Sequence, residues 1–189
     1  MKNILFLYII FIKGVDNGLY LTKFSGDKMA EIKTNVMRIL DKEKINYTSH
    51  EYPHGKEAVD GESVARLLGQ DENTVFKTLV TKGASGSYYV FVVPVSSELD
   101  LKKCAKSVKE KSVEMIPVKD ITKITGYVRG GCSPVGMKKH FVTTYHKTAL
   151  EIPKIIVSAG KIGYQIDLAP NDLIALTQGQ CADIVKESK

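Results

Sequence analysis

The residues best suited to chemistry cluster between Gly126 and Lys139, where the chain reads Gly-Tyr-Val-Arg-Gly-Gly-Cys-Ser-Pro-Val-Gly-Met-Lys-Lys. Four glycines in this stretch let the backbone reach positive φ or approach a ligand closely. Arg129, Lys138 and Lys139 make an anion the natural guest. A pair of surface turns with hydrated lysines would use the same residue types. Three other positions could join the loop in a site. Lys77 interrupts the apolar run Val75 to Val80. By strand alternation it shares a face with Val75 and Leu79, so it either meets water or enters a pocket as a charge needing an anion or carbonyl partner. Tyr52 stands just before the turn Pro53-His54-Gly55, from where its phenol can reach a neighbouring pocket or simply pack with a hydrated hydroxyl. Ser158-Ala159-Gly160 ends an apolar run at a tight turn and offers a hydroxyl and backbone N–H groups, as a plain hairpin would.

The familiar catalytic arrangements are missing from the sequence. Ser158 has no nucleophile-elbow context. His50, His54, His140 and His146 form no HExxH pattern, and His50 and His54 read as surface residues. Cys104, Cys132 and Cys181 are odd in number and widely spaced, against a disulfide framework or a structural zinc site and in favour of a reducing compartment. Cys104 reads as a small core residue, and Cys132 as the one exposed thiol, without a nearby base. No metal or cofactor is expected.

The chain of 189 residues, 43% hydrophobic and 25% charged, suits one globular domain with a sizeable core. Its net charge of +6 is concentrated. Residues 98 to 147 hold eleven Lys/Arg against five Asp/Glu, while the remainder holds sixteen of each. A localised basic zone is the footprint expected of a phosphate-rich partner, although a hydrated lysine face has the same composition.

The elements that would position these residues follow from periodicity and turn chemistry. Ile4 to Ile12 is an apolar run too short to span a bilayer. Residues 1–28 read as an extension outside the core fold, with a secretory signal as the alternative, and residues 29–189 as the folded domain. Ile32, Val36, Ile39 and Leu40 mark one face of a helix over 31–44. Tyr47 to Tyr52 is extended. Ser63 to Leu68 is a helix with Val64, Leu67 and Leu68 inward and Gly69 as its stop. Residues 75–80 and 88–95 form a hairpin. Asp100 caps a helix carrying Leu101, Cys104, Ala105 and Val108. A strand over 113–116, a helix from Pro117 to Gly126, an extended run over 141–145, a hairpin of 155–158 with 164–168, and a helix from Pro170 complete the chain. Irregular alternation with clear hairpins predicts α+β, with a mixed, partly closed sheet.

Three blocks in register then carry a resemblance. Phe76-Lys77-Thr78-Leu79, the run Thr125 to Lys139, and Val157-Ser158-Ala159-Gly160 together resemble the YbaK/prolyl-tRNA-synthetase-associated editing domain family, closest to its freestanding Cys-tRNA(Pro) deacylase branch. The similarity runs from about Lys33 to Ile184. It implies an α+β fold around a mixed, mostly antiparallel, barrel-like sheet with surrounding helices. It implies a cytoplasmic hydrolase that edits mischarged aminoacyl-tRNA, with tRNA for proline and prolyl-tRNA synthetase as partners and neither DNA nor membrane. In this branch the substrate's own cysteine thiol attacks the ester. The resemblance places the family's essential lysine on Lys77, its loop glycine on Gly130, and its pocket on Tyr52, Gly131, Ser158 and Gly160. Backbone N–H groups of Gly130 and Gly131 would polarise the carbonyl. Gln165, where some relatives carry an acid, and Ala159-Gly160, in place of Gly-Gly, leave the amino-acid preference open. An editor of Ala-tRNA(Pro), or a tRNA- or synthetase-binding module without catalysis, would share these features.

Overall fold

In this computed structural model the described residues are 12–13, 19–20, 32–54 and 59–187. The chain divides into two units, Met1–Ile32 and Lys33–Lys189. In the first, β1 (Ile12–Lys13) pairs antiparallel with β2 (Leu19–Tyr20), Ile12 opposite Tyr20. The expected boundary near residue 28 lies outside the described residues.

The second unit opens with α1 (Asn35–Lys42). Its start is fixed by Thr34, whose Oγ1 accepts from Met37 N at 3.2 Å, so the helix begins three residues beyond Ile32. Val36, Met37 and Leu40 form its buried stripe. β3 (Tyr47–Glu51) follows, then α2 (Gly61–Leu68), which starts two residues before the expected Ser63. Asp60 caps it through Ser63 N at 2.9 Å, and Gly69 ends it at φ +63°, a conformation costly for a residue with a Cβ. Leu67, expected inward, points to solvent, because the helix packs through Val64 and Ala65.

β4 (Phe76–Gly83) and β5 (Tyr88–Pro94) form the expected hairpin. Val90, Phe91, Val92 and Val93 of β5 are wholly buried. Val90 and Val92 face the main core with Leu40, Tyr145 and Ile166, whereas Phe91 and Val93 face a second core with Cys104 and Ile184. A continuous apolar run is what burial on both faces requires. α3 (Leu101–Ser107), capped by Asp100, closes that second core. β6 (Val113–Met115), a 3₁₀ turn and α4 (Ile121–Thr125) lead to Gly126 at φ +89°. Beyond the glycine-rich loop come β7 (Val142–His146), β8 (Ile155–Ser158), β9 (Tyr164–Leu168), α5 (Pro170–Leu176) and β10 (Gln180–Ala182).

The strands form a five-stranded sheet in the order β10-β7-β5-β4-β6 and a three-stranded sheet in the order β3-β9-β8. β7 runs parallel to both β5 and β10, and the other pairs in these two sheets are antiparallel. The expected mixed α+β architecture is therefore present, but the sheets do not close into a barrel. They meet at one parallel bridge, Val75 with Ile156, where Ile156 N donates to Thr74 O at 2.8 Å.

Candidate active site

Beyond the Val75–Ile156 bridge, β4 and β8 part. Val95 N donates to Val75 O, so in the antiparallel ladder Val75, Lys77 and Leu79 direct their backbone groups at β5. Phe76 and Thr78 direct theirs away from it, toward the opening. Further along that edge the pairing resumes, with Ile116 N donating to Val80 O. The opening is a cavity of about 520 Å³, within the range of small-ligand sites. Its walls are β4, the start of α2, the stretch from Met115 to Ile121, the glycine-rich loop and the end of β8.

Lys77, Tyr52, Gly130 and Ser158 all line this cavity. Lys77 is half-buried, and its Nζ donates to Val95 O at 2.7 Å. Burial pulls its pKa below the ordinary lysine value, a shift opposed by the charges of Glu62 and, less strongly, Glu98. Tyr52 is anchored by its backbone N–H, which donates to Gly163 O at 2.9 Å, and its ring is buried in the wall. Gly130 is exposed at φ +80° at the mouth beside Arg129. Ser158 Oγ accepts from Gly160 N at 3.2 Å, which fixes the turn after β8.

Gly131 and Gly160 stand behind the wall instead. Gly131 N donates to Val128 O at 3.0 Å, so that amide is committed to the turn and only the Gly130 N–H remains of the two expected carbonyl donors. A Cβ on Gly131 would lie 3.3 Å from Ile162 N. Gly160, at φ +85°, lets the turn close on α1, since a Cβ there would lie 2.8 Å from Val36 Cγ2 and 2.9 Å from Tyr127 Cε1.

Two side chains sit differently from expectation. Cys132 is largely enclosed in the cavity wall, and burial pushes its thiol up to about 12. His50 is not a solitary surface residue: its Nε2 lies 2.8 Å from Asp167 Oδ2, and Lys154 Nζ lies 2.8 Å from Asp167 Oδ1. This cluster ties β3 to β9 on the strand face that also carries Gln165.

The sequence reading overlooked Asp60, Gly61, Glu62 and Thr78 as wall residues. The signal for the first three was present in the N-cap Asp60, which moves the start of α2 into the site. Gln165 also lines the cavity. Its Oε1 and Thr78 Oγ1 are buried without a hydrogen-bond partner. Buried polar atoms are ordinarily satisfied, so a guest able to donate hydrogen bonds suits this wall. Among the described residues no cluster of His, Cys, Asp and Glu could hold a metal ion.

Residues 56–176 match the aminoacyl-tRNA editing domain family. The chain belongs to that family. A protein of Enterococcus faecalis, EbsC, named as a candidate Cys-tRNA(Pro)/Cys-tRNA(Cys) deacylase, is 47% identical over 157 residues, which cover 83% of this chain and 96% of EbsC. Solved structures share the fold of the editing domain. One described as a candidate trans-editing enzyme for prolyl-tRNA synthetase superposes with a TM-score of 0.70 at 23% identity, over 83% of this chain and all of that one. A protein from a study of epitope grafting onto scaffolds superposes with a TM-score of 0.71 at 25% identity, over 81% of this chain and 96% of its own.

Proposed function

We propose that this protein is a trans-editing aminoacyl-tRNA deacylase that removes cysteine wrongly attached to tRNA for proline. The observation that carries the reading is the 47% identity with EbsC across nearly the whole of that protein. The partly enclosed cavity with Lys77 on its wall supports it.

The substrate supplies its own nucleophile. The cysteine sulfur attacks the ester carbonyl, its proton passes to the departing ribose oxygen, and the C–O bond breaks. Uncharged tRNA leaves, and water opens the resulting thiolactone to free cysteine. Lys77 exchanges its contact with Val95 O for one to the substrate's ribose, phosphate or ester oxygen, and the Gly130 N–H meets the charge that develops on the carbonyl oxygen. Tyr52 and Ser158 bound the amino-acid pocket, while Gly131 and Gly160 shape the two turns behind it. A protein nucleophile is poorly supported by the wall. The Cys132 thiol, at about 12, stays protonated at neutral pH, and Ser158 Oγ is engaged by its own turn. The same reading makes residues 29–189 the editing domain and residues 1–28 an extension to it. It puts the protein in the cytoplasm beside prolyl-tRNA synthetase, in keeping with three free cysteines. Among the described residues no helix is long and apolar enough to cross a membrane.

The test is release of amino acid from preformed Cys-, Ala- and Ser-tRNA(Pro) by the purified protein. Fastest release is expected from the cysteinyl ester, with a loss of at least about 100-fold in Lys77→Ala while the variant stays folded. Binding of tRNA without release would show a binding module instead, and undiminished release by Lys77→Ala would remove Lys77 from the mechanism.

A further inference from the structure

The charges around the cavity do not all pair among themselves. Lys77 and Arg129 are the cations on the wall, and Asp60 and Glu62 are the carboxylates. Asp60 is occupied structurally, since its Oδ1 accepts from Ser63 N at 2.9 Å at the start of α2. Glu98, the other carboxylate whose charge reaches Lys77, is paired with Lys186 at 2.7 Å. Lys77 itself spends its hydrogen bond on the backbone carbonyl of Val95. Glu62 is left as a partly buried carboxylate on the first turn of α2, lining the cavity with no ion pair or hydrogen bond from any described residue. An unpaired carboxylate on a cavity wall suits a cation or a strong donor from the guest.

This inference rests on the proposed ester hydrolysis, in which the guest carries one cationic group, the α-ammonium next to the reacting carbonyl. From the wall's geometry we infer that Glu62 binds the α-ammonium of the aminoacyl ester and is a specificity-determining residue of the site. Its attraction orients the ester so that the opposite charges separate, with the ammonium toward α2 and the phosphate and ribose toward Lys77 and Arg129. The two unpartnered buried acceptors, Thr78 Oγ1 and Gln165 Oε1, suit the remaining N–H donors of an ammonium, which has three. The consequence is a chemical filter: esters whose nitrogen is acylated or missing are poor substrates, because they leave Glu62 without its cationic partner.

The experiment crosses two substrates with two proteins. The substrates are tRNA(Pro) carrying cysteine and tRNA(Pro) carrying 3-mercaptopropionate, which keeps the thiol and the ester and lacks the amine. The proteins are the full chain and its Glu62→Gln variant, with Glu62→Asp as a second variant that keeps the charge. The full chain should prefer the cysteinyl ester by at least about tenfold in kcat/KM, as expected for a charge-assisted hydrogen bond. Glu62→Gln should abolish that preference by slowing the cysteinyl ester alone, and Glu62→Asp should restore part of it. Glu62 also sits where a carboxylate favours the helix dipole. If that were its whole role, Glu62→Gln would lower the melting temperature and affect both esters equally, and the inference would fall while the deacylase reading stood. Hydrolysis of neither ester by the full chain would overturn both together.

Discussion

Lys77 sets the pH behaviour of the site. Its ammonium is held below the ordinary value of 10.5, first by burial, with Glu62 and Glu98 opposing. The folded protein therefore releases this proton at lower pH than the unfolded chain does. Between the two pKa values the unfolded state binds more protons, so this site's contribution to stability rises with pH across that window. Below the window the buried charge is a standing cost. Lys77→Met should accordingly raise the urea midpoint at pH 7, with the gain shrinking as pH climbs toward 10.5. The same depression affects catalysis. If the charged amine is the working form, kcat/KM should fall on its alkaline side at a lower pH than an ordinary lysine would give. A pH–rate profile that stays flat through that range would argue against a charged Lys77.

At the scale of elements, the site depends on two turns and one strand pair. Gly160 closes the turn after β8 at φ +85°, with Val36 and Tyr127 where a side chain would go. Gly160→Ala should cost about 1–3 kcal/mol, read as a lower melting temperature, through backbone strain and through separation of the turn from α1. Asp167 holds β3 to β9. Burial alone would raise its pKa, but hydrogen bonds from Lys154 and His50 outweigh that and bring it below the ordinary value. Stability from this pair is thus fully present above the unfolded value of 3.8 and is lost as pH falls through the lower folded value. Asp167→Asn should cost about 1–3 kcal/mol in urea unfolding at pH 7, and the difference from the parent should vanish in acid. Much of this framework is legible in the sequence, because Asp100, Gly69, Gly126 and Pro170 mark boundaries through backbone chemistry that acts locally. The hairpin of β8 and β9 is visible for the same reason. The His50–Asp167 contact is not legible, since it joins residues 117 apart in sequence. β10 escapes notice because Gln-Cys-Ala has no strand signature, and its place beside β7 comes from register and from Gln180 Nε2 donating to Thr144 Oγ1 at 3.1 Å. Strand alternation leaves Lys77 divided between water and pocket. Only the parting of β4 from β8 decides that, and no local pattern encodes it.

At the scale of the whole molecule, the +6 charge lies wholly in residues 98–147, and that zone includes the mouth of the cavity. Arg129 is on the wall, and Lys119 and Lys123 flank wall residues Val118 and Ile121. Lys138 is engaged within the fold, where its Nζ donates to Thr122 O at 3.2 Å near the C-terminus of α4, so its removal would confound folding with binding. Lys119 and Lys123 are exposed and carry no hydrogen bond or ion pair among the described residues, which makes them the cleaner probes. An RNA end entering the cavity brings phosphates past them, and each neutralised phosphate releases condensed counterions. Deacylation under subsaturating tRNA should therefore weaken with salt along a straight line in logarithmic coordinates. Replacing both lysines by alanine should raise KM with little change in kcat and flatten that line by about 0.7–0.9 per lost contact. The hydrolysis of a minimal substrate, cysteinyl adenosine, should be indifferent to both substitutions, because it carries no phosphate. Equal losses on tRNA and on the nucleoside would mean that the lysines act on the cavity itself. An unchanged salt slope would place the phosphate path elsewhere, with α3 and its Lys102 and Lys106 the next surface to test.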